Sequence, residues 1–140
     1  MNTIEALQKR KSVRGYTNQP VEDEKLKTIL KYGNKAPNAG PFHITVIKNP
    51  TILKMINDTI LGIMKNSDDD FMKQRASIID YKPLYNAPIL IVLSAPEGVI
   101  SAINTSCAVT NMCITATELE LGSCFVMGPI MMFKHNPELC

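Results

Sequence analysis

The chain has 140 residues, of which 45% are hydrophobic and 20% charged, and its formal net charge is +2. This length suggests a single domain with a real core, and the composition excludes a disordered tail. The pI of about 8.3 is too low for a nucleic-acid-binding protein, which would need a basic stripe. The four cysteines include no C-x-x-C pair and the two histidines lie far from them, so we expect no metal site.

The chain opens with an amphipathic segment and not with a signal peptide, and we expect no apolar run of membrane-spanning length. Cys107, Cys113 and Cys124 stand in apolar surroundings and are expected to pack as small hydrophobic side chains. We therefore expect a cytoplasmic protein with reduced cysteines, and neither a membrane nor nucleic acid as a partner.

Apolar periodicity predicts two helices before the first strand. A short helix is expected over 3–11, and a second begins with the acidic residues at 22–24, which favour the positive end of a helix dipole. This second helix is expected to end near Gly33–Asn34 in a left-handed cap. Residues 36–41 contain Pro, Asn and Gly and predict a loop.

The middle of the chain alternates between strand and helix patterns. A β-branched strand is expected at 44–47, and Pro50 fits the first turn of a helix whose apolar stripe runs to Met64. A weaker helical stretch follows at 71–79. The continuous apolar run at 88–94 is typical of a central strand that is covered on both faces.

A long helix is predicted from Gly98 to about Leu121, with Gly122 stopping it. It has almost no polar face before Glu118, so it should be buried all round, and we infer that a partner subunit covers part of it. A short strand over Ser123–Met127 should follow, ended by Gly128–Pro129. The order of elements predicts an α+β or α/β layer protein with a sheet flanked by helices.

Four cationic side chains and one hydroxyl stand within the six residues 9–14, where Arg10, Ser12 and Arg14 alternate. Such a cluster suits a phosphate group, because arginine offers a planar fork of donors and serine adds a neutral one. The alternative is a solvated basic face at the end of a helix, and this run alone does not decide between them.

Three segments in order resemble the FMN-dependent nitroreductases. The run Arg10–Tyr16 resembles their R-x-S-x-R-x-[FY] opening, and Ala36–Ala39 resembles their A-P-S-A loop. The stretch 108–125 is similar to their buried helix, which ends in a Leu-Gly turn. The spacing agrees across nearly the whole chain, and 1–140 is identified as a single nitroreductase-like domain.

The resemblance implies an α+β three-layer sandwich with a central mixed sheet flanked by helices and a long buried helix at a dimer interface. It implies a homodimer that binds FMN between its subunits. It also implies hydride transfer from NADH or NADPH through the flavin to a nitroaromatic, a quinone or a similar small acceptor. No catalytic side chain is implied, because the flavin carries the redox chemistry.

The resemblance also implies three cofactor-binding segments: Arg10, Lys11, Ser12 and Arg14; Pro37, Asn38 and Ala39; Met127 and Gly128. Arg10 and Ser12 would hold the phosphate and the ribityl chain, and Arg14 the pyrimidine end or ribityl oxygens. Lys11 would contribute mainly through its backbone. The second segment would cover the flavin from the other subunit, and backbone N–H groups of the third would point at the ring edge.

Two features depart from the family pattern. Gly40 follows Ala39 at once, so polar groups that usually face the flavin are missing, and Asn38 replaces a serine. The chain also stops at Cys140, before the family's further strand and tail, which would weaken FMN binding. Simpler interpretations stay open: 36–41 as a plain connector, 127–129 as an ordinary strand terminator. The alternatives to the enzyme are a flavin-binding dimer without efficient turnover and a purely structural dimer.

Overall fold

The computed structural model describes residues 2–128 and 130. Within them the elements are, in chain order, α1 (Thr3–Lys9), α2 (Asp23–Gly33), β1 (His43–Ile47), α3 (Pro50–Lys65), α4 (Asp70–Ala76), β2 (Leu90–Ser94) and α5 (Val99–Glu118). They divide into two compact units. The first contains the chain up to Val46 together with Ile91–Phe125, and the second contains Ile47–Leu90 and the residues from Val126 onward.

The first unit is built on α5. Both α1 and α2 pack against this helix, and β1 pairs with β2 in a sheet that has two strands within the described residues. Ile29 of α2 forms the core with Met112 and Ala116 of α5, and half-buried side chains from both strands pack against them. The buried residues of α5 recur every four positions, as one face of a helix requires: Asn104, Ala108, Met112 and Ala116.

The single chain covers only one side of α5. Val99, Ile100 and Ile103 are 74%, 56% and 53% exposed, so the apolar first turns of the helix face away from the unit's core. By length and composition α5 could also cross a membrane, since it has 20 residues and a mean hydropathy of 1.3 over 18 of them. The expectation that no apolar run reaches that length was therefore wrong, although the core helix of a soluble protein passes the same test.

The ends of three helices in the first unit differ from the predicted ones. α1 stops at Lys9 because Arg10 turns extended, with φ −58° and ψ 123°. The left-handed cap of α2 was wrong: Asn34 is right-handed, and short turns from Lys35 and Ala36 satisfy the last carbonyls. α5 ends in a Schellman motif in which the left-handed residue is Glu120 (φ 61°), two positions before Gly122.

The second unit contains α3 and α4, which pack on each other. Asn49 caps α3 by accepting from the N–H of Thr51 at 2.9 Å, and Pro50 occupies the first turn as predicted. The buried stripe of α3 follows helical spacing: Ile56, Asn57, Ile60 and Met64. α4 ends at Ala76 and not at 79, because a tight turn follows in which Asp80 is left-handed with φ 59°.

The predicted strand over Ser123–Met127 was wrong. Ser123 forms only an isolated parallel bridge with Ser12, Met127 lies in a bend, and Gly128 is already helical. A strand needs a neighbour for each backbone N–H and C=O along its length, and the N-terminal segment supplies one at a single position. Pro129, which was expected to help end this strand, lies outside the described residues.

Candidate functional site

The basic segment after α1 lies against the residues that follow α5. Ser12 bridges Ser123, and the N–H of Val13 donates to the carbonyl oxygen of Ser123 at 2.9 Å. Gly122 makes this approach possible, because a Cβ at that position would lie 2.9 Å from Val13 Cγ1. The segment 10–14 is therefore held extended on the end of the central helix of the unit.

The two sides of this extended segment differ. Its odd-numbered side chains border a shallow groove of about 260 Å³ lined by Lys9, Lys11, Val13, Thr117, Glu120, Leu121, Gly122 and Ser123. Successive side chains of an extended segment point to opposite sides. Arg10, Ser12 and Arg14 are not among the residues that line the groove, so this alternation predicts that their side chains share its other side, and all three residues are exposed. The same alternation predicts the Lys11 side chain on the groove side.

The loop at 36–41 is attached to α5 at a different place. Ala36 is buried, whereas Pro37, Asn38 and Ala39 are exposed. The N–H of Ala39 donates to Asn104 Oδ1 at 3.0 Å, which ties the exposed part of the loop to the first half of α5. Asn38 bonds locally, donating from Nδ2 to the carbonyl oxygen of Ala36 at 3.4 Å.

These two predicted segments are attached near opposite ends of α5. The loop bonds to Asn104, and the basic segment pairs just beyond Glu118, where the helix ends. At 1.5 Å per residue, Asn104 and Glu118 are about 21 Å apart along the helix axis. The structure therefore attaches the loop to the first half of α5 and the basic segment to the residues that follow the end of this helix.

The third predicted segment belongs to the second unit. Gly128 lies against α3, since a Cβ there would be 3.1 Å from Ile60 Cγ2, and Met127 is 59% exposed. Within residues 2–128 and 130, no group of three or more His, Cys, Asp and Glu side chains is arranged to hold a metal ion.

The model of the nitroreductase family matches this chain over residues 7–134. The chain belongs to the nitroreductase family. Its α+β fold is that of known nitroreductases, as two solved structures make clear. A nitroreductase with bound FMN from Bacteroides fragilis is 28% identical, with a TM-score of 0.86 over 99% of this chain and 76% of its own. One with bound FMN from Desulfitobacterium hafniense is 20% identical, with a TM-score of 0.88 over 96% of this chain and 75% of its own.

A third solved structure, an FMN-dependent nitroreductase from Clostridium difficile, is 27% identical with a TM-score of 0.75, over 89% of this chain and 59% of its own. No curated protein sequence matches the chain significantly. The nitroreductase fold thus accounts for nearly all of the chain, and the chain spans about three quarters of the first two structures.

Sequence reasoning missed Asn104. It is 4% exposed and stands on the buried stripe of α5, four positions before Ala108. A signal was present in the sequence, because an amide on the buried face of an otherwise apolar helix must bond to something. Its partner is the Ala39 backbone, which no periodicity argument could supply.

Proposed function

We propose that this nitroreductase is an FMN-dependent oxidoreductase that works as a homodimer and passes hydride from NADH or NADPH to a small acceptor such as a nitroaromatic or a quinone. The FMN phosphate and ribityl chain would lie on the side of the basic segment that carries Arg10, Ser12 and Arg14. The observation that carries the proposal is the pairing of this segment with Ser123, because the alternation of an extended segment would turn these three side chains the same way.

The donor set fits a phosphate. Between Glu5 and Glu22 the chain has no acidic residue, so the segment itself places no negative charge beside an anionic ligand. Arg10 follows the last turn of α1 and supplies a planar fork of donors, and the Ser12 hydroxyl adds a neutral donor two residues on. Arg14 would reach the ribityl oxygens or the pyrimidine end. When bound, FMN supplies the hydride-transfer chemistry, and the protein supplies position and electrostatics.

The distance between the two segments along α5 supports a site shared by two subunits. In one chain the loop bonds to Asn104, and the basic segment pairs with Ser123 beyond Glu118, which is about 21 Å from Asn104 along the helix. A twofold axis perpendicular to α5 would set two copies of the helix antiparallel. The Pro37–Ala39 loop of one copy would then approach the Arg10–Arg14 segment of the other, as the family resemblance implies. Met127 and Gly128 would approach the ring edge through their backbone N–H groups.

The surface of α5 suits such an interface. No residue between Gly98 and Glu118 is charged. Most of its hydroxyl groups are occupied within the helix; Ser106, Thr110 and Thr117, for example, donate to the carbonyl oxygens four residues earlier at 2.7, 2.9 and 3.0 Å. A partner would therefore meet methyl groups and apolar side chains, and would leave few donors unsatisfied when water is excluded.

A flavin-binding dimer without efficient turnover is the second candidate. The loop between Ala39 and Phe42 contains only Gly40 and Pro41, so it offers the ring few polar groups. Such a protein would keep the phosphate site and lose control over the chemistry of the ring. A purely structural dimer is the third candidate, and it would need no flavin at all.

One experiment separates the three candidates. The purified protein is titrated with FMN and its visible spectrum recorded, and NADH or NADPH is then added under argon. The enzyme should take up about one FMN per subunit and lose its yellow colour with at least one of the two nucleotides. Flavin uptake without bleaching would support the second candidate, and no uptake at high FMN concentration the third.

A further inference from the structure

The loop that is proposed to cover the flavin depends on a buried amide. Asn104 Oδ1 accepts from the N–H of Ala39 at 3.0 Å. The other end of the same amide lies beside the next loop residue, since a Cβ at Gly40 would be 3.6 Å from Asn104 Nδ2. One side chain of α5 therefore bonds to the loop at Ala39 and lies beside Gly40.

The free-energy cost of burying the Asn104 amide indicates that this side chain has a specific role. It is 4% exposed, in a stripe otherwise made of Ala108, Met112 and Ala116. Burying an amide in such surroundings is unfavourable unless its polar atoms are bonded, and an apolar side chain would pack there without that cost. What an apolar side chain cannot provide is a directed bond to the backbone of an exposed loop.

We propose that Asn104 is a positioning residue that holds Pro37–Ala39 in the arrangement that covers the flavin of the partner subunit. This inference rests on the proposed function. The exposed Ile100 and Ile103 lie on the same turns of α5, so the loop is tied to the part of the helix that would meet the partner. The amide thus sets the loop relative to the subunit interface.

The test compares three variants with the wild-type protein. Asn104→Leu removes the acceptor at similar volume, and Asn104→Asp keeps an acceptor for the Ala39 amide. Asn57→Leu is the matched control, because Asn57 is also buried (8% exposed) and its Oδ1 accepts from the N–H of Leu84 at 3.2 Å in the other unit. The first measurement is hydrogen exchange of the Ala39 amide by NMR in FMN-free protein, and the second is the Kd for FMN.

Asn104→Leu should speed exchange of the Ala39 amide and raise the Kd for FMN by about tenfold, which is the effect of losing one hydrogen bond from an ordered loop. Asn104→Asp should keep the amide protected. Asn57→Leu should lower thermal stability by a similar amount but leave both the Ala39 exchange and the FMN affinity unchanged.

The outcomes separate this inference from the proposed function. Wild-type protein that binds no FMN would overturn both. Wild-type binding together with an unchanged Kd in Asn104→Leu would overturn the positioning role alone. So would an equal loss of affinity in Asn57→Leu, because general destabilisation would then explain both variants.

Discussion

The backbone N–H of Val13 donates to the carbonyl oxygen of Ser123 at 2.9 Å, and so joins the N-terminal segment to the end of the long helix. This bond fixes the register of the basic segment on the residues that follow α5. It needs the preceding glycine, because a Cβ on Gly122 would lie within 3.2 Å of three Val13 carbons. The orientation of Arg10 and Arg14 thus depends on a residue that has no functional group.

Gly122→Ala should displace the basic segment. The added methyl group would meet Val13 Cγ1 at 2.9 Å and Cβ at 3.1 Å, and overpacking of this kind costs about 1–3 kcal/mol of unfolding free energy. Val13→Ala in the same chain should recover part of this loss, because it removes Cγ1 and Cγ2, two of the three atoms that the added methyl group would meet. Urea unfolding of the wild-type, both single variants and the double variant measures the coupling.

Gly15→Ala serves as the control for this cycle, because nothing lies within 4 Å of a Cβ at that position. It should change the unfolding free energy little. Purely additive effects of Gly122→Ala and Val13→Ala would contradict the contact between these two residues.

Two helical glycines should respond in opposite directions to alanine. A Cβ on Gly33 of α2 would collide with the buried side chain of Met112, lying 2.8 Å from its Cγ, so Gly33→Ala should destabilise the protein by about 1–3 kcal/mol. Gly62 in α3 has nothing within 4 Å of that position, and Gly62→Ala should stabilise it by about 1 kcal/mol. Calorimetric melting of both variants checks this, and a rise in Tm for Gly33→Ala would refute the close packing of α2 on α5.

The sequence predicted the helices and strands better than their ends. Periodicity placed all five helices of the described residues; α2, α3 and α5 bury several residues at helical spacing, whereas α1 and α4 each bury a single alanine. The predicted ends were wrong where the backbone conformation depends on pairing with residues far away in the sequence. Arg10 lies outside α1 because its segment pairs with Ser123, and Ser123 forms one bridge instead of a strand. Local sequence patterns cannot reveal pairings between segments that are far apart in the chain.

The candidate site divides in the same way. Motif spacing identified the basic segment and the loop, and the structure places both on α5. Motif spacing could not reveal Asn104, whose role depends on the Ala39 backbone. Motif spacing also could not show that Met127 and Gly128 belong to the second unit. Their proposed contacts with the flavin stay predictions.

Ile103→Glu should separate the proposed dimer. Ile103 is 53% exposed on the uncharged surface of α5, and a carboxylate there would be desolvated without a partner when two copies associate. Sedimentation equilibrium should find the wild-type as a dimer and the variant as a monomer with weakened FMN binding. Ile52→Glu, on an exposed position of α3, is the control and should stay dimeric. A monomeric wild-type protein would contradict the shared site.

Stability should fall at alkaline pH through Tyr81. Burial raises the pKa of its hydroxyl above the ordinary value near 10.0, outweighing the hydrogen bond of 2.9 Å from Arg75 Nε, which lowers it. A raised pKa in the folded state means that the neutral form is favoured, so this stabilisation is complete below about pH 10 and is lost as the pH rises through the higher folded value.

Tyr81→Phe should therefore unfold with a smaller loss of stability between about pH 9 and pH 12 than the wild-type. Urea unfolding across this range measures it. Tyr32→Phe, which changes a tyrosine that is 47% exposed, should keep the wild-type alkaline loss. Identical profiles for Tyr81→Phe and the wild-type would contradict a raised pKa of the buried Tyr81 hydroxyl.

The most direct test of the account is the Kd for FMN of Arg10→Ala and Arg14→Ala beside that of Lys11→Ala. Lys11 has the same charge and lies between the two arginines, but its side chain borders the groove on the other side. Losing one charge-assisted bond should raise the Kd for FMN about 10- to 150-fold in Arg10→Ala. The Kd should also rise substantially in Arg14→Ala, whereas that of Lys11→Ala should stay near the wild-type value. Equal losses in all three variants, or wild-type affinity without the arginines, would contradict a phosphate site on this side of the segment.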